Sequence, residues 1–470
     1  MSIRNLKRSL FLCLTLLVVG CSGETKSTKS DQPAFAGVSV EVSVVGDENI
    51  AAVLQQLQGE WKAQTGADLT VNSISEEEFL SQNEMGSSVA IIPPYLVGIA
   101  QQRGWLAPLE ESVRNNGQLN WRDIFPNLQT YEASWNRQAM GIPLGAPRFL
   151  LAYRADLLRQ IGHEQPPQTW TEYYAVASEL ANSEAGLKIA SLEPSSEDWL
   201  ALVFLAKAAA LAKHPDYFST AFNRDTMDAM INSPPFVETL AQWAAAAPRT
   251  VRLDENISPQ TAYGMLRSGA AGMAITWPAA NWNEMPKQAG AEIAFAPLPG
   301  ADQAYVPGEA QPQQTDHRHV SVTSFGGYVG VVGSAAEEKQ QAASWQLLIQ
   351  LAADWSQQLA AANSQLLFSR QSQTADAARW LPPQDSAAAG TLSSAALKAF
   401  DADDGLTALP IPGRDRYLAS LSAGVRRALQ EEQSPEEALQ QVAEEWNAIT
   451  QELGVDQQQQ FYRASVTHGY

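Results

Sequence analysis

Acidic and aromatic side chains that could bind a small polar ligand stand in two loops near the start of the chain. Asp47 and Glu48 follow an alternating apolar and polar run at 38–45, which predicts a half-buried strand. Tyr95 follows a short apolar run at 89–92 that predicts a buried strand. Ligands of α/β sheets lie beyond the carboxyl ends of the strands, so these three residues are candidate ligand contacts. The two carboxylates are also suited to the N-terminus of a helix, where they would stabilise the helix dipole.

The segments between these loops predict an alternating α/β unit. Apolar residues spaced three and four apart from Ile50 to Trp61 predict a helix that ends at Gly66. Residues 69–74 predict the next strand. This βαβαβ order is typical of a parallel sheet covered by helices.

Later segments predict further elements. Capping boxes predict helix starts at Thr169, Ser334 and Ser434, because each is followed by a glutamate three residues later. The Ala-rich region 190–250 favours helices, and the polar stretch 301–318 predicts a loop or lid.

The N-terminus predicts export and lipidation. Basic residues precede an apolar run at 10–19, which is typical of a secretory signal and too short to span a membrane. Gly20 before Cys21 is similar to the lipobox of bacterial lipoproteins, although an ordinary signal peptide with an incidental cysteine is the alternative. We expect a signal peptide at 1–20, lipidation of Cys21, a flexible tether at 21–36, and an anchored protein facing the periplasm or the cell surface.

Composition excludes several classes of function. Cys21 would be the one cysteine of the mature chain, which leaves no disulfide, no cysteine-ligated metal and no thiol nucleophile. The formal net charge of -20 argues against nucleic acid and anionic membrane surfaces as partners. His317 and His319 could share one face of a strand, but two imidazoles without a third ligand indicate no metal site. We expect no cofactor. Roughly 430 mature residues exceed one core and predict two domains.

Several segments resemble, in order, the family 1 extracellular solute-binding proteins, which are maltose-binding-protein-like sugar-binding subunits of ABC importers. Their sequences here are WKAQTG at 61–66, GWLAPL at 104–109, GIP to PPQTWTE at 141–172, SGAAGMAI at 268–275, APLPG at 296–300, FGGY at 325–328 with AASW at 342–345, and SPEEAL at 434–439. Arg154, Ser88, the missing lysine of the GKAAM-like motif and a long 301–325 loop depart from the family pattern.

The resemblance implies an α/β fold of the two-lobed, type II periplasmic-binding-protein kind. Its lobes would be joined by a hinge of three crossovers near 145, 327 and 380, with ligand captured by hinge closure in the cleft between them. The implied divisions are an N-terminal lobe of 37–145 and 328–380, a C-terminal lobe of 146–327 and 381–455, and a tail at 456–470.

The resemblance also adds candidate contacts to Asp47, Glu48 and Tyr95. Sugar recognition needs flat apolar faces for C–H groups and paired hydrogen-bonding groups for hydroxyls. Trp277 matches the ligand-stacking tryptophan of the family, and Trp282 shares its loop, although hinge packing would explain both. The other candidates are Trp199 at a second-lobe cleft position, Tyr328 beside a glycine pair, and Arg148 in the first crossover, where an exposed hinge arginine is the alternative.

The implied function is capture of a small polar solute, with carbohydrate the favoured class, by a monomeric lipoprotein that serves ABC permease subunits. One alternative is an orphan binding lipoprotein that serves a sensor or binds surface glycans. Another is an exported hydrolase, but the chain contains neither G-x-S-x-G nor HExxH, and we expect no enzyme.

Overall fold

The computed structural model describes residues 33–466 except 184–186, 188, 218, 283–285 and 401–404. The expected signal peptide, Cys21 and most of the expected tether lie outside the described residues. The strands are, in chain order, β1 (Ser39–Val45), β2 (Asp68–Ile74), β3 (Val89–Ile92), β4 (Leu106–Ala107), β5 (Ser134–Trp135), β6 (Gln138–Ala139), β7 (Gly141–Gly145), β8 (Leu150–Arg154), β9 (Ile189–Leu192), β10 (Ala271–Thr276), β11 (Ile293–Pro297), β12 (Ala301–Ala304), β13 (Gln313–Arg318), β14 (Ser321–Thr323), β15 (Tyr328–Gly333) and β16 (Gly405–Thr407).

Helices cover both sheets and build the C-terminal third of the chain. The α-helices are α1 (Glu48–Thr65), α2 (Glu76–Ser81), α3 (Val97–Gln102), α4 (Glu111–Arg114), α5 (Ala155–Gln160), α6 (Trp170–Ala181), α7 (Glu197–Ala212), α8 (Pro234–Thr250), α9 (Pro259–Arg267), α10 (Glu338–Ala352), α11 (Ser356–Ala362), α12 (Ala389–Phe400), α13 (Arg414–Leu429), α14 (Pro435–Leu453) and α15 (Val455–Val466). Short 3-10 turns lie at Pro94–Leu96, Trp121–Asp123, Gln371–Trp380 and Pro383–Ala388, and a π turn at Leu128–Glu132.

The first sheet has the strand order β2-β1-β3-β15-β4, with β7 also paired to β15. Strand β1 runs parallel to β2 and β3, which confirms the predicted parallel alternation for these three strands. Strand β15 returns from late in the chain and pairs antiparallel with β3, β4 and β7. All four residues of β3 are buried, as expected for a strand covered on both faces.

The second sheet has the order β11-β8-β10-β9. Strand β8 is antiparallel to β10 and β11, while β9 is parallel to β10. The prediction of helices over 190–250 is wrong at its start, because residues 189–192 form β9. All four residues of β9 are buried, and a short apolar segment of this kind does not distinguish strand from helix by its pattern.

Two of the three predicted helix starts are confirmed. Thr169 and Ser434 both form complete capping boxes, at the starts of α6 and α14. The capping box predicted at Ser334 is wrong, because α10 begins four residues later, at Glu338, and Glu337 precedes it without a side-chain cap. The Ser334 hydroxyl instead donates to the carbonyl oxygen of Gly104 at 2.7 Å. It therefore ties the end of β15 to the loop before β4.

The chain passes between the two sheets at three places. Strand β7 of the first sheet leads directly into β8 of the second, and the segment after β14 leads back into β15. Helix α11 packs against α1, whereas α12 packs against β11, so the third passage lies between α11 and α12.

The C-terminal region differs from the expected tail. Residues 455–466 form α15, whose Phe461 and Tyr462 side chains are buried, so the prediction of a tail from 456 is wrong as far as residue 466. Within the ranges given above, no helix has both the length and the apolar character needed to cross a membrane.

Candidate functional site

A cleft with a cavity volume of about 580 Å³ opens between the two sheets. One wall comes from the loops after β1, β2 and β3, the other from the N-termini of α7 and α13, and the floor from the segment before β15. The lining residues are Val45, Gly46, Glu76, Pro93, Tyr95, Glu197, Asp198, Trp199, Leu202, Phe325, Gly326, Gly327, Tyr328, Gln365, Arg414, Asp415, Leu418 and Ala419.

The first wall is built at the carboxyl ends of parallel strands. Glu76 starts α2 after β2, and Tyr95 follows β3. The Tyr95 hydroxyl donates to Glu76 Oε2 at 2.9 Å. Partial removal from water raises the pKa of Glu76, and the hydrogen bond from Tyr95 opposes this shift. The wall therefore presents a carboxylate that is held in place but is poorly hydrated.

The second wall carries charges at two helix N-termini. Arg414 and Asp415 begin α13, and their side chains form an ion pair of 3.1 Å. The guanidinium of Arg414 lies 4.2 Å from the centroid of the Tyr95 ring, within the range of a cation–π contact. This contact joins the two walls directly across the cleft.

An aromatic cluster forms part of the floor. Phe149 and Phe325 stack with ring centroids 4.9 Å apart and nearly parallel planes. Trp199 meets the edge of Phe325 at 6.3 Å, and Trp277 packs against Phe149 at 5.7 Å. Phe325 and Trp199 line the cleft, so the cluster gives the cavity a flat apolar surface.

Close backbone packing at the floor requires glycine. Gly327 has a φ of 86°, and a Cβ atom there would lie 2.4 Å from the carbonyl oxygen of Gly145. The Gly327 N–H donates to Gln365 Oε1 at 3.2 Å. Segments at 145, 327 and 365 therefore meet at one point between the sheets, directly below the cavity.

The sequence matches a family model described as bacterial extracellular solute-binding protein over residues 46–348, more than half of the chain. The chain belongs to this family. The family resemblance found in the sequence is therefore confirmed.

Solved structures show the same two-lobed fold. A solute-binding protein of Agrobacterium radiobacter K84 in complex with ribitol has 19% sequence identity and a TM-score of 0.63, covering 89% of this chain and all of that one. The sugar-binding protein MalE of Xanthomonas citri has 18% identity and a TM-score of 0.67, covering 88% and 98%. Maltose-bound MalE3 of T. maritima has 16% identity and a TM-score of 0.62, covering 88% and 100%. The predicted fold class is confirmed.

Three of the site residues predicted from the sequence line the cleft of this solute-binding protein: Tyr95, Trp199 and Tyr328. They come from the first wall, the second wall and the floor. Burial raises the pKa of Tyr328, and the nearby carboxylates of Asp47 and Glu76 raise it further. The structure therefore brings together one predicted residue from each part of the cavity.

Asp47 and Glu48 do not line the cavity. Asp47 is the N-cap of α1, where its Oδ1 accepts the Ile50 N–H at 2.6 Å, and its other oxygen accepts a hydrogen bond from Asn363. Glu48 is exposed in the first turn of α1. The structure thus gives both carboxylates helix N-terminal positions, the alternative that the sequence left open.

Arg148 is not at the cleft, and the alternative of an exposed hinge arginine is also wrong. Its side chain is 1% exposed, pairs with Glu132 at 2.9 Å and donates to Asn127 Oδ1 at 2.6 Å. No pattern in the Gly-Ala-Pro segment before Arg148 indicates its carboxylate partner, because Glu132 lies on a separate segment of the chain.

Trp277 and Trp282 lie behind the cleft lining rather than in it. Trp277 is 2% exposed, and its indole N–H donates to the Ser364 carbonyl oxygen at 2.8 Å. Trp282 is also buried and packs against Trp277 at 6.2 Å. Their positions fit the hinge-packing alternative.

Sequence reasoning missed Glu76, Phe325, Gln365, Arg414 and Asp415, which line the cavity. A signal existed for Glu76, because it directly follows the second predicted strand, as Asp47 follows the first. No local pattern marks the others, since only the fold brings 325, 365 and 414 together.

The expected lid at 301–318 is a β-hairpin far from the cleft. Strands β12 and β13 pair antiparallel, and Tyr305 N–H donates to the Leu211 carbonyl oxygen at 2.9 Å. That contact is at the C-terminal end of the 16-residue helix α7, whose N-terminal end lines the cleft. At about 1.5 Å per residue the two ends are about 20 Å apart, so the lid prediction is wrong.

The two histidines of this hairpin have protein partners. His317 Nδ1 lies 2.5 Å from Asp302, and His319 Nδ1 lies 2.8 Å from the Leu298 carbonyl oxygen. Among the residues that the structure describes, no group of three or more His, Cys, Asp or Glu side chains is arranged to hold a metal ion.

Proposed function

We propose that this protein captures a small uncharged carbohydrate or polyol in the cleft and delivers it to an ABC importer. The observation that carries the proposal is the presence of aromatic rings and hydrogen-bonding side chains in the lining of one cavity. Phe325 and Trp199 suit the C–H face of a sugar ring, while Glu76 and Gln365 suit its hydroxyl groups.

Size and charge support this solute class. A cavity of about 580 Å³ lies within the usual range for small-ligand sites. Carboxylates at Glu76, Glu197, Asp198 and Asp415 face a cavity with Arg414 as its lining cation. Because like charges in a partly buried site repel, this lining favours an uncharged polyhydroxyl solute over a sugar acid.

Related proteins agree with this class of solute. The similar structures include complexes with ribitol, D-mannitol, alpha-D-tagatose and maltose. Family members and these neighbours are binding proteins, which favours binding without catalysis. We further propose that this chain acts as a monomer and that its partners are ABC permease subunits.

Closure of the two lobes is the proposed means of capture. The moving bodies would be 37–145 with 328–380 and 146–327 with 381–455. The separate sheets support this division, because β1 to β4, β7 and β15 form one sheet and β8 to β11 the other. Helix α15 contacts both bodies, α14 of the second and α3 of the first.

The protein would act outside the cytoplasm, held by a lipid on Cys21. The sequence before Cys21 supports this part of the proposal. Metabolic labelling with a radioactive fatty acid should mark the wild-type protein, and Cys21→Ser should remove the label and release the protein from membranes. A labelled Cys21→Ser variant would contradict lipidation at this residue.

A thermal-shift screen with ribitol, mannitol, maltose and glucuronate tests the solute class. A ligand at about a hundred times its dissociation constant stabilises the fold by about 2.7 kcal/mol, which is a shift of a few degrees. We expect a shift with at least one uncharged compound and none with glucuronate. Glu76→Ala should weaken the shift, whereas Glu48→Ala, a matched exposed carboxylate of the same lobe, should not. A shift with glucuronate alone, or none with any sugar or polyol, would overturn the proposal.

A further inference from the structure

Helix α15, which lies beyond the segment matched by the family model, is fixed to the second lobe by polar contacts. The Tyr462 hydroxyl accepts hydrogen bonds from the backbone N–H groups of Ala221 at 3.2 Å and Phe222 at 3.3 Å. One residue later, the Arg463 guanidinium forms an ion pair of 2.9 Å with Asp225. The residues 219–232 that receive these contacts are themselves bonded to α14, for example through Asn232 and Gln440.

The same helix reaches the first lobe through an aromatic contact. The ring centroids of Phe461 and Trp135 are 6.0 Å apart, and the two side chains are only 6% and 7% exposed. Trp135 is itself fixed to α3, because a Cβ atom added to Gly98 would lie 2.3 Å from its ring. Phe461 is therefore covered by the first lobe, although its helix is anchored on the second.

Helix α15 also connects the elements that carry the two cleft walls. Helix α3 begins two residues after Tyr95. On the other side, Gln458 Nε2 donates to the Pro412 carbonyl oxygen at 3.1 Å, two residues before Arg414. The aromatic contact of α15 and the Arg414–Tyr95 contact therefore bridge the same pair of wall elements.

We propose that α15 is a strap that biases the ligand-free protein toward the closed cleft, an inference that rests on the hinge closure proposed above. Hydrogen bonds and ion pairs are directional and hold α15 on the second lobe, whereas the Phe461–Trp135 contact is apolar and can separate. Opening of the hinge would expose both rings to water, which opposes opening. Since apparent affinity depends on the fraction of protein in the binding-competent state, the strap would tighten solute binding without touching the solute.

Interlobe distances in the ligand-free protein test the strap without any sugar. Spin labels on Gln56→Cys and Ala241→Cys, two exposed positions on α1 and α8, report on the two lobes. The two natural cysteines, Cys13 and Cys21, would be replaced by serine in the full chain. Phe461→Ala should shift the distance distribution measured by pulsed electron paramagnetic resonance away from the wild-type one. Gln460→Ala, an exposed neighbour on the same helix, should leave it unchanged.

Trp135→Leu removes the other ring of the contact. The test then does not depend on the correct folding of Phe461→Ala alone. Trp135→Leu should produce the same shift as Phe461→Ala, and the double variant should shift no further than either single variant. Titration with ribitol and maltose should show binding about three- to tenfold weaker in each variant, from the usual strength of an aromatic pair. A wild-type distance distribution in folded Phe461→Ala and Trp135→Leu would overturn the strap. If neither ribitol nor maltose bound, only the proposed function would be contradicted, because the distance measurement needs no solute.

Discussion

Two arginines of this protein lie over aromatic rings at similar distances but in opposite surroundings. Arg148 lies 4.9 Å from the Phe400 ring centroid at the hinge, and its side chain is 1% exposed. Arg414 lies 4.2 Å from the Tyr95 ring centroid at the cleft, and its side chain is 13% exposed. The two arginines therefore differ in burial and not in residue type or in the kind of ring they contact. Arg148 is a structural residue, whereas Arg414 can exchange its protein partners for a solute.

The hinge site is fully enclosed and joins separate parts of the chain. Glu132 Oε1 accepts the Ser324 N–H at 3.0 Å as well as the Arg148 guanidinium. Burial raises the pKa of Glu132 and lowers that of Arg148, while their mutual attraction opposes both shifts. Because Arg148 precedes β8 and Ser324 precedes β15, this pair holds two of the three passages between the sheets together. The cleft arginine has an exposed partner in Asp415, and its charge stays available.

The largest effect should come from breaking the hinge pair. Arg148→Ala would leave the Glu132 carboxylate buried without its cation, which costs about 3–5 kcal/mol of folding free energy. Arg414→Ala should change the stability by less than about 1 kcal/mol, because its ion pair reaches solvent. Urea unfolding followed by circular dichroism would measure both. Equal losses in the two variants would contradict the contrast between hinge and cleft.

The second prediction separates two tryptophans of the aromatic cluster. Trp277→Ala removes a buried ring and its hydrogen bond to Ser364, so it should cost about 3–5 kcal/mol of stability. Trp199→Ala removes a half-buried cleft ring and should mainly weaken maltose or ribitol binding, by roughly tenfold or more. Thermal unfolding and isothermal titration calorimetry would measure the two effects. A stable Trp277→Ala variant with abolished binding would restore Trp277 as the ligand contact.

The same contrast explains what the sequence could predict. Strand alternation at 38–45 and the capping boxes at Thr169 and Ser434 are local signals, and the structure confirms the elements they predict. Tyr95 could be predicted as a cleft residue because it directly follows a strand of the parallel sheet, which is also a local signal. Whether Arg148 is exposed depends on Glu132, a partner on a separate segment, and no spacing in the sequence encodes that contact.

The remaining cleft residues were not predicted for the same reason, because their contacts join distant parts of the chain. Arg414 and Tyr95 are in contact although they are 319 positions apart in the chain. Phe149 and Phe325 stack on each other although they lie in two different passages between the sheets. The 301–318 segment was misjudged because a polar composition fits both a lid and an exposed hairpin. Its docking at the far end of α7 is a tertiary property.

A smaller effect is expected from the bridge across the cleft. Arg414→Ala and Tyr95→Leu should each weaken solute binding about three- to tenfold, in line with a cation–π contact that is partly solvated. If the two side chains act through each other, the double variant should lose less than the product of the two single effects. Isothermal titration calorimetry with the solute found in the screen gives the three ratios. If the loss of affinity in the double variant equalled the product of the two single losses, the contact would not contribute to closure.

The smallest effect should be a pH dependence carried by Glu76, the cleft carboxylate that faces Tyr95, Arg414 and Asp415. Its pKa is raised above the ordinary value of 4.5, chiefly by removal from water. In the window between the two values the folded state holds more protons than the unfolded state, so this group raises stability as the pH falls. Protonation also removes an acceptor for solute hydroxyls and weakens the attraction to Arg414, so affinity should fall over the same window. The difference between wild type and Glu76→Gln should isolate both contributions of this group, whereas Glu48→Gln should follow the wild type, as measured by calorimetric titration and thermal unfolding from pH 7 downward. If the difference between wild type and Glu76→Gln changed in the same direction for stability and for affinity, this assignment would be contradicted, because the ionised carboxylate opposes folding here while it favours binding.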